Sequence, residues 1–190
     1  MNAPVDISSV RLETPRLILR PWRESDLSDF NEYARVDGVG QMAGWLPHGS
    51  MEKSRQILQL FIEEKKTFAL ELKESGKAIG SLGIEEYRQE EACVPEELSL
   101  REIGYVLNRD YWGRGLMPEA VRAVIDYCFG TMHLDALLCG HFERNLQSRR
   151  VIEKCGFQFH RELIYHTRMG TEEPSRFYIL WNPKREVKHV

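Results

Sequence analysis

Between Leu100 and Phe142 the spacing of apolar residues changes period twice, and this restricts the fold more than any other feature of the chain. Leu100 to Arg109 reads as a strand. Gly113 and Gly115 follow, and then Pro118, which suits the first turn of a helix. Val121, Val124, Ile125, Cys128 and Phe129 recur at i, i+3, i+4, i+7 and i+8, the stripe of an amphipathic helix that Gly130 suits as a C-terminal cap. Leu134 to Phe142 is a strand again. Such a β-α-β crossover calls for a helix packed on a sheet.

The flanks add antiparallel hairpins to the crossover. Arg16 to Arg20 reads as a strand stopped by Pro21, and Ser25 and Ser50 read as caps of two helices. Phe68, Leu70 and Leu72 alternate with polar residues, and Glu74-Ser75-Gly76-Lys77 turns the chain into a returning strand, Ala78 to Glu86. Beyond the crossover, Gln147 to Cys155 reads as a short helix, and Phe157 to Arg168 with Arg176 to Trp181 as a last hairpin around Met169-Gly170. The order is β-α-α-β-β-β-α-β-α-β-β. The expected class is α/β (α+β): a mixed, largely antiparallel central sheet of about seven strands flanked by about four helices. With no internal repeat or linker, residues 1–190 are expected to form a single domain with its core at about 10–182.

Composition excludes several functions. The formal net charge of −3 gives no broad grip on nucleic acid. No apolar run approaches the ~20 residues that span a bilayer. The opening residues lack the pattern of a secretory signal, so a cytoplasmic protein is expected. Cys93, Cys128, Cys139 and Cys155 form no C-x-x-C pair and read as reduced core thiols. Cys139 and His141 can share a strand face, but nothing nearby completes a ligand set, so no metal is expected.

The chemistry is expected where the strand from Leu100 meets the helix at Pro118. A tight glycine turn there points several backbone N–H groups into one concavity, and the helix N-terminus adds unpaired N–H groups and partial positive charge. That suits an anion such as a pyrophosphate. The turn is not a Walker loop, because no G-K-[ST] follows, and it lacks the third glycine of the dinucleotide fingerprint.

Tyr111-Trp112-Gly113-Arg114-Gly115, followed by Glu119-Ala120, resembles the acetyl-CoA motif of the GCN5-related N-acetyltransferases. Asn145-Leu146-Gln147-Ser148 with Glu153-Lys154-Cys155-Gly156-Phe157 resembles the family's next motif. Thr14 to Arg20 and Ile103-Gly104-Tyr105-Val106-Leu107 resemble its ribosomal-protein-alanine acetyltransferase branch. The likeness runs from about Val10 to Trp181, in order and at the family's spacing. It implies an acetyl-CoA-dependent N-acetyltransferase. The strand bearing Tyr105, Val106 and Leu107 should splay from the strand that starts near Leu134, freeing backbone groups around Val106 for the pantetheine amides. Trp112, Gly113, Arg114, Gly115, Leu116 and Met117 should form the cofactor stretch, with backbone N–H groups from Gly113 to Met117 on the pyrophosphate. Asn145 should contact the pantetheine arm, cap its helix, or both. Arg149 and Arg150 are candidates for the nucleotide phosphates or for a solvated helix face.

The chain departs from the family pattern twice. Asp110 stands where Gln or Arg often opens the phosphate motif, a change that a backbone grip tolerates. Ile152 stands where many relatives carry the Tyr that protonates the leaving thiolate, and Ile has no proton to give. Ser148 is the candidate that remains, with solvent as the other proton source. A neutral amine is needed for attack, so a base is required too. Glu102 shares strand parity with Gly104 and Val106 and is the first candidate, with Glu85 and Glu86 behind it. Glu85 to Glu97 holds six glutamates and reads as a solvated loop, or as an overhang that attracts a cationic acceptor. Met42, Trp45, Leu46, Pro47 and His48 read as packing, or as a wall of the acceptor site. The acceptor is a protein N-terminal α-amine or a small-molecule amine; a non-catalytic acyl-CoA sensor is the non-enzymatic alternative. A monomer and a homodimer are both compatible with the sequence.

Overall fold

The computed structural model describes residues 1–185. Among these residues one eight-stranded sheet runs through the molecule. The strands are β1 (Leu12–Glu13), β2 (Leu17–Pro21), β3 (Thr67–Leu72), β4 (Lys77–Glu85), β5 (Leu100–Leu107), β6 (Ala136–Phe142), β7 (Gln158–His166) and β8 (Glu172–Trp181). The helices are α1 (Leu27–Ala34), α2 (Met51–Glu64), α3 (Gln89–Ala92), α4 (Leu116–Gly130) and α5 (Leu146–Lys154). In space the strands run β1-β2-β3-β4-β5-β6-β8-β7. All neighbours are antiparallel except β5 and β6, which α4 joins by the expected crossover.

The fold therefore matches the mixed sheet expected, with one strand and one helix more. Both additions are short. β1 is a two-residue edge pair, and α3 is a single turn within the acidic loop. Neither is long enough to show a period.

Two apolar layers hold the sheet. On one face, Phe68, Leu70, Ile79, Leu82, Ile84 and Ile103 pack against α4 through Val121, Val124 and Cys128. On the other, Trp22, Phe30, Tyr33 and Leu58 from the α1 and α2 side cover Ala69 and Ala78. The β3–β4 register slips between Ala69 and Glu71. That slip lets Ile79 and Leu82, of opposite parity, enter the same layer, which simple alternation does not foresee.

The acidic loop is more than a solvated run. Tyr87, Ala92 and Val94 pack with Leu100, Ala136, Leu138 and Ile179 as a third apolar cluster. Glu91 is only 2% exposed, and its carboxylate accepts hydrogen bonds from the Arg88 N–H and Nε–H. The four cysteines are free thiols; Cys128 and Cys139 are buried, whereas Cys93 is exposed on the loop rather than in the core. Among the described residues no helix is long and apolar enough to cross a membrane.

Candidate active site

The parallel pair opens partway along its length. β5 and β6 pair at Leu100 with Ala136, Arg101 with Leu137 and Glu102 with Leu138, and pairing stops there, although both strands continue. Their diverging ends flank a cleft of about 890 Å³, within the roughly 300–1,000 Å³ usual for small-molecule sites. β5 remains paired with β4 as far as Leu107, and the Asn108 N–H donates to the Ile79 carbonyl oxygen. Alternation along that ladder turns the N–H and C=O of Ile103 and Tyr105 toward the open side.

The glycine turn lies at the end of β5. Gly113 has φ +75° and Gly115 φ +74°, both in the left-handed region that glycine enters without strain. Among the described residues, nothing accepts a hydrogen bond from the N–H groups of Gly113, Arg114, Gly115, Leu116 or Met117. A Cβ on Gly113 would meet no atom within 4 Å, so the space beside the turn is open. Five free N–H groups over alternating backbone conformations at the start of α4 make an anion cradle.

Side chains far apart in sequence hold this turn in place. The Trp112 indole N–H donates to the Leu107 carbonyl oxygen at 2.8 Å, tying the turn to the end of β5. Glu119, in the first turn of α4, accepts from the Arg16 N–H at 2.9 Å and Nε–H at 2.8 Å. Arg16 also donates through Nη1 to the Arg114 carbonyl oxygen at 2.9 Å. The Arg114 side chain lies over the Tyr111 ring and donates to the Asp110 carbonyl oxygen, so only its backbone belongs to the cradle.

On β5, residues of alternate parity serve the two sides of the sheet. Glu102 lines the cleft directly opposite Glu85. It keeps some contact with solvent through the cleft yet is closely surrounded by protein. That desolvation, with the charges of Glu91 and Glu85, pushes its carboxyl up to about 8. Glu85 lies over the Gly83 position, where a Cβ would meet its Oε1 at 2.1 Å, and Lys66 holds its other oxygen at 3.1 Å. Glu86 lines the cleft but is largely exposed.

The second motif falls at the start of α5. Asn145 Oδ1 accepts from the Ser148 N–H at 3.1 Å, the helix cap expected of it, and Asn145 Nδ2–H donates to the Met42 carbonyl oxygen at 3.2 Å. The cap therefore also pins the loop bearing Met42 and Ala43 against the cleft, as a wall. Asn145→Ala is expected to cost about 1 kcal/mol of stability through the lost cap, read as a lower denaturation midpoint with unchanged denaturant slope. Ser148 lines the cleft, and its Oγ lies 2.9 Å from the Tyr105 hydroxyl. Ile152 is 1% exposed, in the core.

One expectation needs adjustment. Arg149 does not line the cleft: it pairs with Glu153 at 2.8 Å along the exposed face of α5, an i,i+4 pair readable from the sequence. Arg150, one position on, does line it. Cys139 is a core residue whose thiol burial pushes up, and His141 donates its Nδ1–H to the Phe142 carbonyl oxygen. The contributions of Arg16, Glu119 and Tyr105's hydroxyl went unread, because each depends on a contact between distant segments.

The site thus combines a sheet opened at its parallel pair, five free N–H groups beside the opening, and a carboxylate and a hydroxyl in the cleft. The chain belongs to the GNAT acetyltransferases: residues 16–158 match the family described as acetyltransferase (GNAT) domain. It is an enzyme of N-acetyltransferase type. It is 27% identical over 152 residues to an uncharacterized N-acetyltransferase, p20, of Bacillus licheniformis, covering 77% of this chain and 82% of that one. The fold is shared with a GNAT-family acetyltransferase from Bacillus anthracis, with TM-score 0.80 and 21% identity over 92% of this chain and 100% of the other. It is also shared with a ribosomal-protein-S5-alanine acetyltransferase from Vibrio fischeri, with TM-score 0.72 and 23% identity over 93% and 99%.

Proposed function

We propose that this enzyme moves an acetyl group from acetyl-CoA to the N-terminal α-amine of a protein. The observation that carries the cofactor is the run of five unpartnered N–H groups from Gly113 to Met117 beside the opening of β5 from β6. A pyrophosphate supplies the acceptor oxygens such a cradle lacks, and the open edge at Ile103 and Tyr105 suits the amides of a pantetheine arm. The cleft between β5 and α5 has room for that arm, and Arg150 supplies a cation beside it.

Acetyl-CoA brings an activated thioester; the chain supplies the proton handling and the charge stabilisation. Glu102, held near pH 8, accepts a proton from the incoming ammonium directly or through water, leaving a lone pair free for attack. Glu85 and Glu86 keep that end of the cleft negative, which favours a cationic acceptor. Ser148 presents a hydroxyl where Ile152 offers none. The protein-acceptor reading is supported by the likeness of Thr14 to Arg20 and Ile103 to Leu107 to the ribosomal-protein-alanine branch, and by the Vibrio fischeri fold relative that acts there.

The test is release of free thiol from acetyl-CoA by the purified protein, with peptides bearing a free N-terminus set against polyamines and amino acids. Turnover is expected with unblocked peptides and should vanish when their α-amine is blocked. Turnover with polyamines or amino acids alone would move the acceptor to the small-molecule class. Cofactor binding without thiol release for any amine would favour a sensor.

A further inference from the structure

The side of the cleft that receives the leaving sulfur contains an interaction that local sequence does not reveal. Glu102 and Tyr105 are three residues apart on β5, so their side chains take opposite faces. Tyr105 packs against the α4 layer, and its hydroxyl reaches α5 across the gap where β5 and β6 no longer pair. There it lies 2.9 Å from Ser148 Oγ and 3.2 Å from the Ser148 carbonyl oxygen. Asn145 Oδ1 fixes the Ser148 N–H from the other side. Both Tyr105 and Ser148 line the cleft.

The geometry points to Tyr105 as the positioning residue for Ser148: the phenol donates to Ser148 Oγ and leaves the serine's own proton free for the departing sulfur. This role rests on the acetyl-CoA reading above. A phenol has one proton and two acceptors within reach. Donation to the Ser148 carbonyl oxygen would leave Oγ–H to donate back to the phenol, and no proton would face the cleft. Donation to Oγ frees that proton, and negative charge growing on sulfur selects this arrangement, because the two hydrogen bonds polarise each other. Burial pushes the phenol well above its ordinary value, so Tyr105 keeps its proton and serves as a donor. As the C–N bond forms and the C–S bond breaks, sulfur leaves with the electron pair, hydrogen-bonded by Ser148. The ammonium's first proton has gone to Glu102 before attack; the second, shed by nitrogen as the C–N bond forms, passes to water, and the thiolate later takes a proton from water in turn.

A purely structural staple between β5 and α5 would produce the same contact, and the test separates the two. Tyr105→Phe keeps the ring, and Ser148→Ala removes the hydroxyl it is held to orient. The probe is coenzyme A itself: the ionisation of its thiol is followed by thiolate ultraviolet absorbance, free and bound. Bound to wild type, the thiol should ionise at lower pH than when free, and each substitution should move it back upward. Tyr105→Phe should lower kcat about tenfold, the worth of one hydrogen bond, with KM for acetyl-CoA unchanged. In a Ser148→Ala background it should add nothing. A wild-type thiol pKa and kcat in Tyr105→Phe would overturn the role, as would an additive double variant. If wild type does not bind coenzyme A at all, the functional reading falls and this role with it. Normal binding with an unmoved thiol overturns the role alone.

Discussion

Gly115→Val is expected to lose acetyl-CoA affinity by about 10²–10⁴-fold, the equivalent of losing two hydrogen bonds to a charged group. Gly115 sits at φ +74°, immediately before α4, in the middle of the five free N–H groups. A β-branched residue there costs about 1–2 kcal/mol in backbone strain alone, and the chain escapes by rotating the peptide units that aim at the anion. Its Cβ would stand 3.7 Å from Arg16 Nη2, an ordinary contact, so the loss comes from the backbone of the turn rather than from a clash with the clamp of Arg16 on Glu119 and the Arg114 carbonyl. The core contacts of α4 lie further along the helix, at Val121, Val124 and Cys128, and should hold. Titration calorimetry on the folded variant decides the matter. Wild-type affinity would mean that the phosphates are gripped elsewhere.

Glu102→Gln is the second large effect. General-base loss costs about 10²–10⁴-fold in turnover, and acetyl-CoA affinity should stay near wild type, because Glu102 lies near the start of β5, where the strand still pairs with β6, and the cradle follows the strand's other end. Only the carboxylate can accept a proton. Wild-type turnover should therefore rise with pH as the group ionises near 8, whereas any rise in the variant should follow the acceptor amine's own ionisation. High pH should rescue the variant in part, more for weakly basic acceptors than for strongly basic ones, as the acceptor then arrives already neutral. Stability supplies an independent sign. The folded carboxyl is raised above its ordinary value of 4.5 by burial and by Glu91 and Glu85, so the folded state binds the extra proton. Wild type should then lose stability as pH rises from about 4.5 to about 8, whereas Glu102→Gln should lose less. Full turnover in the variant across the pH range would remove Glu102 from the chemistry and pass the role to Glu85 or Glu86.

The crossover was readable because a 3.6-residue stripe of five residues between two strands has no other economical packing. The anion cradle was readable because Gly113, Gly115 and Pro118 fix backbone conformations locally. What stayed hidden is long-range. The clamp of Arg16 on Glu119 spans 103 positions, and no period in either segment announces it. Tyr105 read as part of the cofactor strand, but the contact of its hydroxyl with Ser148 exists only because α5 comes within reach where β5 and β6 part. The acidic loop misled by its charge: Tyr87, Ala92, Val94 and Leu98 were the signal that part of it packs on the sheet. The opening of the sheet itself came from the family resemblance, since an open and a paired parallel strand have the same alternation.

The central claim is that the cleft between β5 and α5 takes acetyl-CoA through the backbone of Gly113 to Met117. Thermal unfolding of the wild-type protein with and without acetyl-CoA, alongside Gly115→Val, tests it most directly. At a ligand concentration ~100 times Kd, binding should add about 2.7 kcal/mol, raising Tm for wild type and leaving the variant's Tm where it was. A wild-type Tm unmoved at millimolar acetyl-CoA, or a variant that gains as much as wild type, would contradict the account.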